Sequence, residues 1–488
     1  MRKAIASLIG GNLLSKILGL VREVIVAALF GTGYINGAYR VAQTGTLVPV
    51  NFLISDSLTA FIPLYKMFKK ESINKGQLFF WGMLILFIIF SLVLTLFSYI
   101  FVDKWLNIIA PGLDVNTKRL AAEMLIIMAI GIPFYLTSAL INYVEMAHDD
   151  FFPMSVRPSL QNLGMLCGAI FAYWFHNPLY LAWGFTLSYV LFFVWVLCRG
   201  IKANLLLFPQ NYEFKILKEV IKKFWVTLRP LILLPVIYQG NIAVERAIAT
   251  LISINAVSAI DYAKFITETL LLIVSAPVAL AGLASWGGVQ KKEMKIKMVN
   301  VFNIMLMVSL PISAFIWTHS TEIVTVLFAR GRFDAESIHV TSIILFGMSL
   351  GLWAQAIGYV YIKALNAQLK NNYVMMIMSI GLCLNIIINI IFYKHIGAYA
   401  LGLGYTVYGL VLLLGCLIAI NIWPQIAKIA IIMTLGAVLY NFITLINFRV
   451  VNDLITLIVD GIVFLSFWFI ILVGTPHTRR ILKTLFSK

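Results

Sequence analysis

From Gln77 to Phe101 the chain reads QLFFWGMLILFIIFSLVLTLFSYIF, without one formal charge. A bilayer core is crossed by roughly 20 such residues in a helix. Runs of this kind fill almost all of the 488 residues. The chain is 61% hydrophobic and 12% charged, where soluble domains carry about a quarter charged residues. The runs lack the period of two that a membrane barrel needs. The expected fold class is an all-α polytopic membrane protein.

About fourteen transmembrane helices are expected. They fall at 5–30, 36–65, 78–102, 122–147, 153–175, 178–198, 224–250, 257–288, 297–318, 339–366, 372–393, 396–420, 425–446 and 453–474. The opening MRKAIASLIGG mimics a signal peptide, but the apolar run continues through charges to Phe30 and reads as a retained first span. The second span contains Pro49, Asn51, Asp56 and Pro63 and is expected to bend or break. Between Arg199 and Lys223, FKILKEVIKKF reads as a basic amphipathic helix on the membrane surface.

The net charge of +17 is explained by cationic loops on the cytoplasmic side rather than by a nucleic-acid partner. With the N-terminus inside, only Lys104, Lys118, Arg119, Arg330, Arg332, Lys394 and Arg449 lie on the outer side. Both termini are therefore expected in the cytoplasm. Cys167, Cys198, Cys383 and Cys416 all lie in apolar runs and read as packing residues, without disulfide or metal spacing. The histidines have no zinc spacing. No phosphate loop or nucleophile elbow occurs, so no cofactor and no enzymatic activity is expected. Energy would come from a coupling cation, the membrane potential or the substrate's own gradient.

Eight cations remain inside the spans: Lys16, Arg22, Arg40, Arg157, Arg229, Arg246, Lys264 and Lys363. Glu23, Asp56, Glu145, Glu245, Asp261, Glu268 and Asp460 join them. Each charge at a helix centre costs about 2.5–3.5 kcal/mol on insertion scales. They must face one another or a wet cavity. Spacing supports this: Lys16, Gly19 and Glu23 share one face of the first span, and Asp261, Lys264 and Glu268 share one face of the eighth. In the seventh, Asn241 stacks on Glu245, and Gln239 aligns with Arg246. Two readings stay open: a cavity wall suited to a phosphate-bearing substrate, or ion pairs that lock helices together. Arg157, Gln161 and Asn162 invite the same pair of readings.

The charges recur in a pattern. VREVIVAALFGTGYINGAY reads against AVERAIATLISINAVSAIDY, matching Glu23 with Glu245 and Tyr39 with Tyr262. The implied architecture is two parallel-repeat six-helix lobes plus two C-terminal helices. The expected domains are an N-terminal lobe at 1–200, a linker at 201–223, a C-terminal lobe at 224–421 and a final pair of spans with tail at 422–488.

SKILGLVREVIVAALFGTG, TAFIPLY and the segment from Val326 to Asn372 resemble the MurJ/MviN family of lipid II flippases. In its opening motif, Lys16, Gly19, Arg22 and Glu23 occupy the family's basic, glycine, basic and acidic positions. The stretch LVPVNFLISD lacks the family's second-span arginine, which leaves Arg40 as that span's cation. YAKFI places Lys264 and Phe265 where the family has an acid and an arginine. The resemblance implies a monomeric inner-membrane transporter that moves a polyprenyl-pyrophosphate-linked glycan outward by alternating access. Its implied partners are that substrate and membrane lipids. Lys16 and Arg22 would grip the pyrophosphate with Glu23 beside them. The candidate substrate-binding set is Lys16, Arg22, Glu23, Arg40, Glu245, Arg246, Asp261, Lys264 and Glu268. A flippase for another lipid-linked oligosaccharide and an ion-coupled drug exporter are the alternatives.

Overall fold

The computed structural model describes residues 2–446 and 453–486. Arg449 and the end of the C-terminal tail lie outside them. Spatial proximity divides the chain into two compact units, Met1–Val257 and Ser258–Lys488.

The first unit holds α1 (Arg2–Phe30), α2 (Tyr34–Glu71), α3 (Ile73–Ile100), α4 (Val102–Ile109), α5 (Val115–Ala129), α6 (Ile132–Ala147), α7 (Phe152–Trp174), α8 (Leu179–Lys202), α9 (Phe214–Leu228) and α10 (Leu233–Ile252). Among the described residues, ten helices of the whole chain are long and apolar enough to cross a membrane, and the bent pair α5–α6 makes an eleventh. The expected spans outside that set are α1, α7 and α10. They carry Lys16, Arg22 and Glu23, then Arg157 and Asn162, then Glu245 and Arg246. Helices this polar need protein neighbours: α1 packs along α7, and α10 along α2.

Prolines mark where the spans depart from expectation. The second span is neither broken nor interrupted, since α2 runs for 38 residues through Pro49 and Pro63. Pro49 has no N–H for the carbonyl one turn back. That carbonyl, on Gly45, instead accepts a 3.0 Å hydrogen bond from the Trp105 indole. The fourth span, expected to be continuous, bends by 41° between α5 and α6. Here Pro133 orphans the Ala129 carbonyl, and the Thr95 hydroxyl donates to it at 3.1 Å. The seventh span also starts later than expected. Residues 224–228 complete α9, and a tight turn at Arg229–Leu231 around Pro230 separates it from α10. As the pattern predicts, α9 is amphipathic: Val220, Phe224 and Leu228 are buried at helical spacing, and the helix packs on α3.

Small residues set α7 against α8. A Cβ on Gly184 would lie 2.6 Å from both the Gly164 carbonyl oxygen and the Gly168 Cα. Association of this kind needs close backbones, because lipid offers helices no hydrophobic reason to meet. By contrast α3 leaves Ile85, Ile89, Leu92, Val93 and Leu96 exposed along its length, the signature of a lipid-facing helix.

The second unit holds α11 (Ile254–Trp286), whose first turn lies in the preceding unit, and α12 (Lys291–Thr318), α13 (Ser320–Phe328), α14 (Ala335–Ala367), α15 (Asn371–Ile396), α16 (Tyr399–Ile420), α17 (Trp423–Ile446), α18 (Asp453–Gly474) and α19 (Pro476–Phe486). It has its own small-residue seam. Gly347 of α14 faces Gly402 of α16, and Thr406 donates to the Gly347 carbonyl at 2.6 Å. Asp460, solitary in the sequence, lies 3.8 Å from His319 Nδ1, while the Tyr440 hydroxyl lies 3.4 Å from His319 Nε2. That cluster joins α17 and α18 to the α12–α13 corner.

The units share a local plan. In each a short helix follows a long one: α4 after α3, and α13 after α12. Next comes an aspartate that caps the following helix: Asp114 accepts from Thr117 N–H at 3.1 Å, and Asp334 from Ser337 N–H at 2.9 Å. Of the cysteines only Cys416 is buried, which corrects the packing expectation for Cys167, Cys198 and Cys383. Those three are exposed, on α7, α8 and α15.

Candidate charged site in the first unit

Gly31 turns the chain between α1 and α2 with φ 58°, a conformation open to glycine at little cost. The turn is fastened by Asn36, whose amide donates to the Gly31 carbonyl at 2.7 Å. The same side chain accepts from Arg40 Nε at 3.3 Å. This aims the Arg40 guanidinium back toward α1, where Glu23 waits.

Glu23 is the hub. Its side chain is 3% exposed and is paired with Arg40, 7% exposed, and with Arg22, 16% exposed. Two guanidinium groups thus share one carboxylate. A buried carboxylate is tolerable only when paired and hydrogen-bonded in this way. Arg22 extends past Glu23 to α7, donating to Asn162 Oδ1 at 2.8 Å with Met165 Sδ at 3.4 Å. Asn162 in turn donates to the Ser15 carbonyl at 2.9 Å, tying α7 to α1 one residue before Lys16. Gln43 completes the wall by donating to the Tyr39 hydroxyl at 3.0 Å.

Three of the sequence candidates, Arg22, Glu23 and Arg40, therefore converge. Lys16 is half-buried on α1, about 10 Å along the axis from Glu23 at 1.5 Å per residue. Glu245 and Arg246 are buried on α10. Arg246 donates to the Thr44 hydroxyl at 3.0 Å and to the Val257 carbonyl. Thr44 itself donates to the Arg40 carbonyl at 2.9 Å, so Arg246 braces the helix that carries Arg40. Asp261 and Lys264 are half-buried and Glu268 exposed on α11 in the second unit. Among the described residues no cluster of His, Cys, Asp and Glu could hold a metal ion.

The profile described as lipid II flippase MurJ matches residues 26–472. The chain belongs to the MurJ family. Arg40, Arg246 and Lys264 lie within the matched stretch, while Lys16, Arg22 and Glu23 lie just before it. Among curated relatives, the "Probable lipid II flippase MurJ" of Synechocystis sp. is 26% identical over 79% of this chain and 75% of its own length. Among solved structures, "Lipid II flippase MurJ, inward closed conformation" has a TM-score of 0.82 at 22% identity, covering 95% of this chain and 98% of that one. An inward-facing multidrug resistance MATE family transporter of the MOP superfamily has a TM-score of 0.64 at 13% identity, over 83% and 94%. At these identities the likeness is one of fold. Membership of this family, with the apolar helices above, makes the chain a multi-pass bacterial membrane protein, and the Arg22–Glu23–Arg40 hub sits on its first two helices.

The sequence marked Arg22, Glu23 and Arg40 through the cost of their charges. Asn162, singled out beside Arg157 and Gln161, makes hydrogen bonds between helices, whereas Asn36, which aims Arg40, went unmarked. An asparagine at i−4 to an in-span arginine was the available signal for Asn36.

Proposed function

We propose that this protein flips lipid II, the undecaprenyl-pyrophosphate-linked peptidoglycan precursor, from the cytoplasmic to the outer leaflet of a bacterial inner membrane. It does so as a monomeric transporter rather than an enzyme, by alternating access, with both termini cytoplasmic. The lipid tail remains in the bilayer beside α17 and α18. A cation gradient or the membrane potential supplies the energy.

The observation that carries this reading is the buried pair of arginines on a single carboxylate. A guanidinium matches two phosphate oxygens at once and strengthens with desolvation. Arg22, the more exposed arm, exchanges part of its contact with Glu23 for the pyrophosphate, while Arg40 keeps Glu23 compensated. Lys16 adds a point charge on the same helix.

The test is replacement. The resident lipid II flippase of a bacterial host is depleted, this chain is expressed, and growth is followed with the appearance of lipid II in the outer leaflet. Rescue of both is expected. Failure of a well-inserted chain would overturn lipid II as the substrate and favour another polyprenyl-pyrophosphate-linked glycan.

A further inference from the structure

Arg157 lies in the second turn of α7 and is half-buried. Its guanidinium stands 4.5 Å from the centroid of the Tyr135 ring, and Nη2 donates to the Tyr135 hydroxyl at 2.6 Å. That hydroxyl donates onward to Asn51 Oδ1 on α2 at 3.3 Å. Arg22 and Arg40 each reach a carboxylate. Arg157 reaches none among the described residues, and the ionisable groups around it are the tyrosines Tyr135, Tyr189 and Tyr143. A guanidinium has five N–H donors, and one tyrosine oxygen occupies a single one of them.

One turn on, Gln161 presents a second surplus. Its amide nitrogen is buried without a hydrogen-bond partner. Residues four apart share a helix face, so Arg157, Gln161 and Met165 form one stripe of α7. The far end of that stripe is where Arg22 sits, 3.4 Å from Met165 Sδ. The distance from Arg157 to Asn162 along the axis is about 7 Å. Uncompensated donors at this density are costly in a membrane protein unless an anion visits them.

We propose that Arg157, Gln161 and Tyr135 form a second phosphate-binding subsite on α7, which receives the pyrophosphate of the lipid-linked substrate and is connected along one helix stripe to Arg22. Tyr135 is a positioning residue: its ring and hydroxyl hold the guanidinium flat, with its remaining edge turned to the ligand. The proposal rests on the lipid-linked pyrophosphate reading above.

The experiment measures binding to the full chain in lipid nanodiscs with three probes: lipid II, undecaprenyl pyrophosphate and inorganic pyrophosphate. The variants are Arg157→Met, Gln161→Leu and Tyr135→Phe. Arg157→Met is expected to weaken both lipid probes about tenfold or more while melting no lower than the parent without ligand, since a cation without a carboxylate partner has been removed. A purely structural arginine gives the opposite: a lower melting temperature and unchanged affinity for the folded fraction, which overturns the proposal. If Arg157→Met yields no folded protein, Gln161→Leu decides, and undiminished lipid affinity there overturns the subsite. If the parent binds neither lipid probe, the substrate reading fails. Inorganic pyrophosphate then decides separately: binding lost in Arg157→Met sustains a subsite for a free anion, and absence of binding overturns it.

Discussion

Arg40 reaches back from α2 to Glu23 on α1, with Nη1 3.3 Å from Oε1, and shares that carboxylate with Arg22. Removing it leaves two like charges buried together. Glu23→Ala should destabilise the folded protein by about 3–5 kcal/mol, the usual cost of breaking a buried pair from one side. Adding Arg40→Met should recover a large part of that loss, because the like charge that faces Arg22 goes with it. Melting temperatures of the two single variants and the double variant in detergent test this, and strict additivity would contradict it.

A second prediction concerns the proline in α2. Trp105→Phe keeps the ring but strands the Gly45 carbonyl, at a cost of about 1–3 kcal/mol. In the double variant Trp105→Phe with Pro49→Ala, residue 49 regains an N–H that can bond Gly45 within the helix. Stability should return toward the parent value. A double variant no better than Trp105→Phe would show that the indole works through packing.

The capping aspartates give a pH dependence outside the membrane spans. The Thr117 hydroxyl and backbone N–H hold the Asp114 carboxyl below its usual range, and the Ser337 backbone N–H and hydroxyl do the same for Asp334. Each folded value lies below the unfolded one. Their stabilisation is therefore complete above the unfolded value of about 3.9 and is lost as pH falls through the folded one. Solvent screening keeps the charge contribution small at these exposed sites. Asp114→Ala should cost about 0.5–2 kcal/mol at neutral pH, and Asp114→Asn little, because asparagine caps as well. The asparagine variant should also lose less stability on acidification. Thermal unfolding at pH 7 and pH 3 separates the three proteins.

Gly184→Ala tests whether the α7–α8 seam positions the site. Its new methyl meets backbone at 2.6 Å, so the helices must part, at about 1–3 kcal/mol for an overpacked contact. Because α7 carries Asn162, the partner of Arg22, rescue of a flippase-depleted host should weaken beyond what the stability loss explains. Normal rescue at matched protein level would detach the seam from the site.

The spans were legible because an apolar run longer than a bilayer core has few other folds open to it. Their interruptions were not, and Pro49 and Pro133 show why. Both remove the same N–H, yet one leaves a helix running and the other accompanies a 41° bend. The stranded carbonyls are completed by Trp105 and Thr95, far away in sequence. The site divides likewise. Arg22, Glu23 and Arg40 betray themselves by the cost of charge in lipid, but which acid serves which base is decided by helix contacts. Arg157 and Glu23 look alike in the sequence as charges within spans. In the structure one is doubly compensated and the other is left with tyrosines.

The exposed faces of α3 and α18 bear on how such a chain can change over generations. Ile85, Ile89, Leu92, Val93 and Leu96 of α3 are exposed, and so are Ile458, Ile462, Leu465 and Phe469 of α18. A side chain there answers to the oiliness of its surroundings and to no particular neighbour, so leucine, isoleucine, valine and phenylalanine are interchangeable. Mutational drift can accumulate over these surfaces without disturbing a backbone that is pinned by glycine seams and a handful of buried polar bonds. That is how a chain can keep its family's fold while most of its residues change.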